Sequence, residues 1–217
     1  QSFRSALTMD PEHTLAHFWI GQLYVERGQL NLALQEFNTV LRLDPDNAAA
    51  YHNRGATAYQ VGNMDQAQTD LETALELEPD DPRTHYQLGT VYLTQALQAC
   101  YREGTLHSGA LPEFTLEVPA HAEHGDFAAN LAMVLAREEK KAPRKIAETL
   151  IAALGAGDGL WRKVEIAGPG FINFFLANRC WYGVLDEVTR GGVDYGRSRS
   201  GAGLGRVPDP GRPCRLC

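Results

Sequence analysis

Residues 10–21, 44–55 and 78–89 read DPEHTLAHFWIG, DPDNAAAYHNRG and EPDDPRTHYQLG. An acid and a proline open each stretch (Asp10-Pro11, Asp44-Pro45, Glu78-Pro79), and a glycine closes it (Gly21, Gly55, Gly89), at a constant step of 34 residues. A fixed period of this size marks stacked supersecondary units, since one such unit cannot bury its apolar face alone. Gly28 and Gly62 repeat at the same step and split each period in two. TLAHFWIGQLYVERG and QLNLALQEFNTVLRLDP form one helix pair, and AAAYHNRGATAYQVG and NMDQAQTDLETALELEP the next. Small residues at Gly21 and Ala33, and again at Gly55 and Ala67, let paired helices approach closely.

Ile20, Gly21, Tyr24, Ala33, Phe37 and Pro45 in one unit, with Gly55, Ala67, Leu71, Ala74 and Pro79 in the next, resemble the signature of the tetratricopeptide repeat. The resemblance implies helix–turn–helix units stacked into an α-solenoid with a concave peptide-binding face. Phe18, Trp19, His52, Asn53, Tyr59 and Tyr86 are the residues expected to line that groove; the other reading is that they pack one repeat on the next. Phe3, Ala6 and Pro11 fit the end of an earlier unit, so the chain reads as beginning inside the array. A third unit starts at PRTHYQLGTVYL and is expected to lose its second helix after about Leu93.

Charge divides the chain at the same place. Residues 1–93 hold 5 Arg/Lys and 13 Asp/Glu, a balance of −8, whereas residues 94–217 hold 15 and 14. An acidic half repels nucleic acid and the other half does not. Four cysteines (100, 180, 214, 217) are too few for a disulfide scaffold, so a reducing cytoplasmic setting is expected. No apolar run approaches the ~20 residues that span a bilayer, and no membrane partner is expected.

From Thr94 the pattern changes. ALQACYREGTL continues as helix to Gly104, PEFTLEVP alternates as a strand, and HGDFAANLAMVLAREEKK reads as a helix capped by Asp126. APRKIAETLIAALG is a second helix, with Pro143 in its first turn and Gly155 beyond its end. WRKVEIAGPGFINFFLA reads as two strands joined at Gly168-Pro169-Gly170, and CWYGVLDEVTRGG closes as a helix. The expectation is a small α+β domain with an antiparallel sheet over 94–198, followed by a disordered tail over 199–217. The tail ends in a lone C-x-x-C (Cys214, Cys217), and it reads as a frame-shifted or misassembled continuation.

LPEFTLEVP, EHGDFAANLAMVLA, AGPGFINFFLA and DYGRS occur here in the order and spacing of the N-terminal additional domain of arginyl-tRNA synthetases, with Ala129 where that family usually has Thr. The resemblance covers roughly residues 95–198 and implies contact with tRNA at its D-loop corner. It places tRNA contacts on the second strand, at Phe171 and Asn173. In that strand Ile172, Phe174 and Leu176 point to the core, and Phe171, Asn173 and Phe175 to the other face, with Phe175 read as core. An open sheet face with aromatics stacks unpaired bases, and an amide reads a base edge. Arg137, Lys140, Lys141, Arg144 and Lys145 surround one helix–helix turn and either meet phosphates or form a solvated corner, with Glu138 and Glu139 interleaved. His121, His124 and Asp126 match no standard metal spacing, and the resemblance makes His124, Gly125 and Asp126 a turn into the helix that follows.

The intact family implied by the resemblance ligates arginine to tRNA with ATP and magnesium, through an HxGH-type signature and a lysine loop. Neither occurs in these 217 residues, so no catalytic residue and no cofactor is assigned, and the chain alone is expected to bind tRNA without activating arginine. The competing reading is a peptide-binding repeat scaffold whose second domain is a passive remnant or an artefact of assembly.

Overall fold

The computed structural model describes residues 2–109, 111–155 and 160–177. The closing helix expected at 180–192 and the tail over 199–217 lie outside these residues. The repeats fold as antiparallel helices: α1 (Ser2–Met9), α2 (Thr14–Glu26), α3 (Leu30–Leu43), α4 (Ala48–Gln60) and α5 (Met64–Leu77). Capping side chains start the helices where the period predicts. Asn47, Asn63 and Asp81 each accept from a backbone N–H two or three residues on, which satisfies one orphan donor of a first turn. Gly28 and Gly62 end α2 and α4 in the left-handed region, at φ 68° and 85°, where a side chain is strained. Between the helices of a repeat, glycine makes room. A Cβ on Gly21 would stand 2.7 Å from the Phe37 ring, and one on Gly55 2.9 Å from Leu71 Cγ.

The third period departs from the first two. Its turn glycine would fall at position 96, which is alanine and buried. Without the stop, α6 runs unbroken from Pro82 to Arg102 and ends at Gly104, φ 71°. The repeat pattern gives way at Thr94 in the sequence, but the helix passes straight through that point.

The second half adds β1 (Leu116–Glu117), a 3-10 turn (Ala122–His124), β2 (Phe127–Ala129), α7 (Leu131–Glu139), α8 (Pro143–Leu154), β3 (Trp161–Ala167) and β4 (Phe171–Leu176). The strands form one antiparallel sheet in the order β1-β2-β4-β3. One core runs through the molecule, from Ala58, Ala67 and Leu71 through Leu88, Leu93 and Leu97 to Leu135, Ile146, Leu150, Ile172 and Phe174.

Two expectations are corrected. Residues 127–129 are a strand, because Phe127 pairs opposite Phe174 and Ala129 opposite Ile172, and both are buried there; ladder pairing outweighs alanine's preference for helix. Asp126 therefore does not cap a helix. Its N–H donates to the Phe174 carbonyl at 2.8 Å, and its Oδ2 accepts from the Leu176 N–H at 2.7 Å. Of the run PEFTLEVP only Leu116–Glu117 pairs as strand. Its approach is tied instead by Asn130, whose Oδ1 accepts from the Thr115 N–H at 2.9 Å.

Candidate nucleic-acid interface

The corner between α7 and α8 is built by a left-handed residue and a buried acid. Lys140 closes α7 at φ 52°, the described non-glycine residue with positive φ. This sharp reversal places Lys140, Lys141, Arg144 and Lys145 together on the surface beside Arg137, all exposed. Glu139, by contrast, is turned inward at 9 % exposure. Its Oε1 accepts from the backbone N–H groups of His107 and Ser108, both at 2.8 Å. Burial acts to raise its carboxyl, but these two donors and the nearby Lys141 and His107 outweigh that and hold it below the usual carboxylate value. Of the two acids interleaved in the sequence, only Glu138 remains on the surface. The clue lay in spacing: Glu139 follows Leu131 and Leu135 on the buried stripe of α7.

Two of the predicted cations also hold the corner's neighbours. Lys141 Nζ donates to the Thr105 carbonyl at 2.7 Å, beyond the end of α6. Arg144 Nη1 donates to the Gly168 carbonyl at 2.7 Å, in the β3–β4 turn. That turn sits against the start of α8: a Cβ on Gly170 would stand 2.7 Å from Pro143 Cβ. The turn, the basic corner and the half-buried Phe171 at the start of β4 thus come to one pole, at the end of α6 remote from the acidic repeats. Lys145 pairs with Glu148 at 3.0 Å. Arg137 has its side chain exposed on the last turn of α7.

The face of β4 expected to be open is closed further along. Ile172, Phe174 and Leu176 point into the core as read, at 0 %, 3 % and 8 % exposure. Asn173, however, is 2 % exposed. It lies on an interior strand, between Ala128 of β2 and Glu165 of β3. Phe175 is buried too, with Lys163 Nζ 4.8 Å from its ring centroid and Arg162 5.9 Å away. Over Phe175 the cover is the side chains of Lys163 and Arg162 from β3. Only Phe171 of this face keeps a partly open ring.

The residues expected in a peptide groove do not gather in one place. His52 Nδ1 bonds Thr84 Oγ at 2.8 Å, Asn53 Oδ1 accepts from Gln22 Nε2 at 3.0 Å, and the Tyr59 hydroxyl meets Thr94 Oγ at 3.1 Å. Each of these bonds joins one repeat to the next. Phe18 packs edge-on to Phe37 and Trp19, and Trp19 stacks on Phe3 at 6.4 Å, leaving Trp19 45 % exposed. Tyr59 and Tyr86 do share a groove, of about 650 Å³, whose opposite wall is the segment 111–115 with Asn130. Sequence reading missed the wall, and it missed the clamp in which Arg54 donates to both carboxylate oxygens of buried Asp70, at 2.7 and 2.6 Å.

Comparison with known proteins divides the chain in the same way. A family model of the arginyl-tRNA synthetase N-terminal domain matches residues 90–176, and a tetratricopeptide-repeat model matches 21–62 and 57–95. The arginine–tRNA ligase of Syntrophotalea carbinolica is 66% identical over 112 residues, 52% of this chain and 20% of that protein. Those of Geotalea daltonii and Heliobacterium modesticaldum are 53% and 44% identical over 111 residues, again 51% of this chain and 20% of each relative. The chain thus spans about one fifth of the length of the curated relatives it matches. Among solved structures, MamA shares 17% identity at a TM-score of 0.43, covering 72% of this chain and 85% of that one. YrrB, described as a TPR protein with an unusual peptide-binding site, shares 20% identity at 0.43, covering 70% and 75%.

Proposed function

We propose, from a chain in which residues 21–95 are tetratricopeptide repeats and residues 90–176 an arginyl-tRNA synthetase N-terminal domain, that the pole formed by the α7–α8 corner and the β3–β4 turn binds the D-loop corner of tRNA. The supporting observation is the gathering of five exposed cations at the α7–α8 corner, one of which, Arg144, bonds the turn that leads to Phe171, with Glu139 turned away from them. Arg137, Lys141 and Arg144 meet phosphates, which position the RNA without reading it. Phe171 supplies a stacking face worth ~1–3 kcal/mol per base. Burial at Asn173 shifts the base contact toward Phe171. In a protein carrying the rest of the matched relatives, this surface would serve arginine–tRNA ligation.

Binding of a tRNA to the whole chain, titrated in salt, tests the proposal. Affinity falls with salt, and Phe171→Ala weakens it by about 5- to 150-fold. Replacing Arg137 or Lys141 by Ala lowers the salt slope by about one each. Salt-independent binding that also ignores Phe171 would sink the proposal.

A second reading rests on the groove beside Tyr59 and Tyr86, whose lining includes one charged residue, Glu113. An extended, largely uncharged peptide suits it. Peptide binding lost in Tyr86→Ala and unaffected by Phe171→Ala would favour this reading over RNA.

A further inference from the structure

In the first two repeats, the helix-A glycine is covered by a bulky residue sixteen positions later on helix B: Gly21 by Phe37 and Gly55 by Leu71, both fully buried. In the third repeat the same count leads to Thr105, which lies past the end of α6 and is exposed. The space over Gly89 is filled all the same. The atom facing it is Leu116 Cδ2, 3.0 Å from where a Cβ would stand, and Leu116 comes from β1 of the second domain at 6 % exposure.

A second comparison at equivalent positions agrees. His17 and His85 are 68 residues apart, two periods, and each uses Nε2 to donate to the carbonyl of the repeat's opening proline, Pro11 or Pro79. In the first repeat the other ring nitrogen meets Glu36 of helix B at 2.6 Å. In the second, Asp70 occupies the place of Glu36 and binds Arg54. The third has Gly104 there, and His85 Nδ1 is buried with no hydrogen-bond partner among the described residues. The apolar half of the missing helix is replaced and its acid is not. Further along α6, Tyr92 meets Trp161 edge-on at 5.0 Å, and Cys100 Sγ donates to the Thr149 carbonyl of α8 at 3.8 Å.

We infer that the second domain is the cap of the repeat array: β1, β3 and α8 stand in for the second helix of the third repeat, so that array and domain fold as one cooperative unit. The face of α6 left open by the missing helix is an interaction surface whose partner is the domain that follows it in the same chain. This inference is independent of what the basic pole binds.

Amide exchange on the whole chain tests it. Leu116→Ala and Trp161→Ala remove cap contacts while every residue of α4 and α5 keeps its identity. Amides of α4 and α5 then exchange at least about 30-fold faster, together with those of β3 and β4, the equilibrium counterpart of truncating a well-buried side chain. Faster exchange confined to the sheet, with α4 and α5 unchanged, would overturn the inference. Should either variant fail to fold, denaturant unfolding of the unaltered chain decides. Helix signal and tryptophan fluorescence lost in one coincident transition support the cap, and two separated transitions overturn it.

Discussion

Lys140 and Glu139 sit side by side and have opposite tasks. Lys140 holds a backbone conformation that glycine adopts without strain. Lys140→Gly is therefore expected to stabilise the chain by up to about 1 kcal/mol in urea unfolding, even though it removes a surface charge from the pole. Glu139 satisfies two backbone donors of the loop after α6. Glu139→Ala orphans both and is expected to cost about 1–3 kcal/mol. Glu139→Gln keeps an acceptor and costs less; equal losses for the two would show that the hydrogen bonds are not what matters. At Asn173 the sequence placed an amide among aromatics on the outer face of a strand, and it read correctly which side chains alternate. It could not reveal that Asn173 would be buried on that face.

At the scale of elements, the start of α6 and its contact with α4 carry a pH response. Burial lowers the pKa of His85 despite its bond to Pro79 and the charges of Asp80, Asp81 and Asp126. Burial likewise lowers His52, with Asp81 opposing and Arg83 assisting. Both histidines protonate more readily in the unfolded chain, where the value is about 6.5. Stability is thus fully held above about pH 6.5 and falls as pH drops from there toward the folded values, by at most about 1.4 kcal/mol per pH unit for His85. Thermal unfolding across pH 5–8 reads this as a falling midpoint, shallower in His85→Asn; an unchanged slope in that variant would assign the response elsewhere. A second loss follows in stronger acid, where Glu139 must protonate, along with Asp81, which burial raises but bonds from Arg83 and Thr84 hold low. Element α6 makes a separate point. Alanine at 96 lets the helix continue where two glycines had ended its predecessors. Ala96→Gly is expected to destabilise the chain by about 1 kcal/mol, as glycine does inside a helix, although it restores the repeat's own pattern. Circular dichroism during urea unfolding measures the loss.

Across the whole molecule, charge and connection work along one axis. The acidic repeats lie toward the start of α6, and the cations gather beyond its end. The tRNA affinity proposed above should therefore depend on salt through the few cations of one pole, with a slope far shallower than a fully basic protein would show. A slope of ten or so would mean that a surface other than this pole is engaged. The sequence by itself determined the repeats, their helix pairs, the β3–β4 hairpin and the two families the halves resemble, because period, turn glycines and caps are local signals. It also located the basic corner. Only the tertiary structure decided that Phe127–Ala129 joins a sheet, that Glu139 and Asn173 are enclosed, and that Leu116 completes the third repeat. Those outcomes depend on partners about 25 to 45 residues away in the chain, and no window of neighbouring residues contains them.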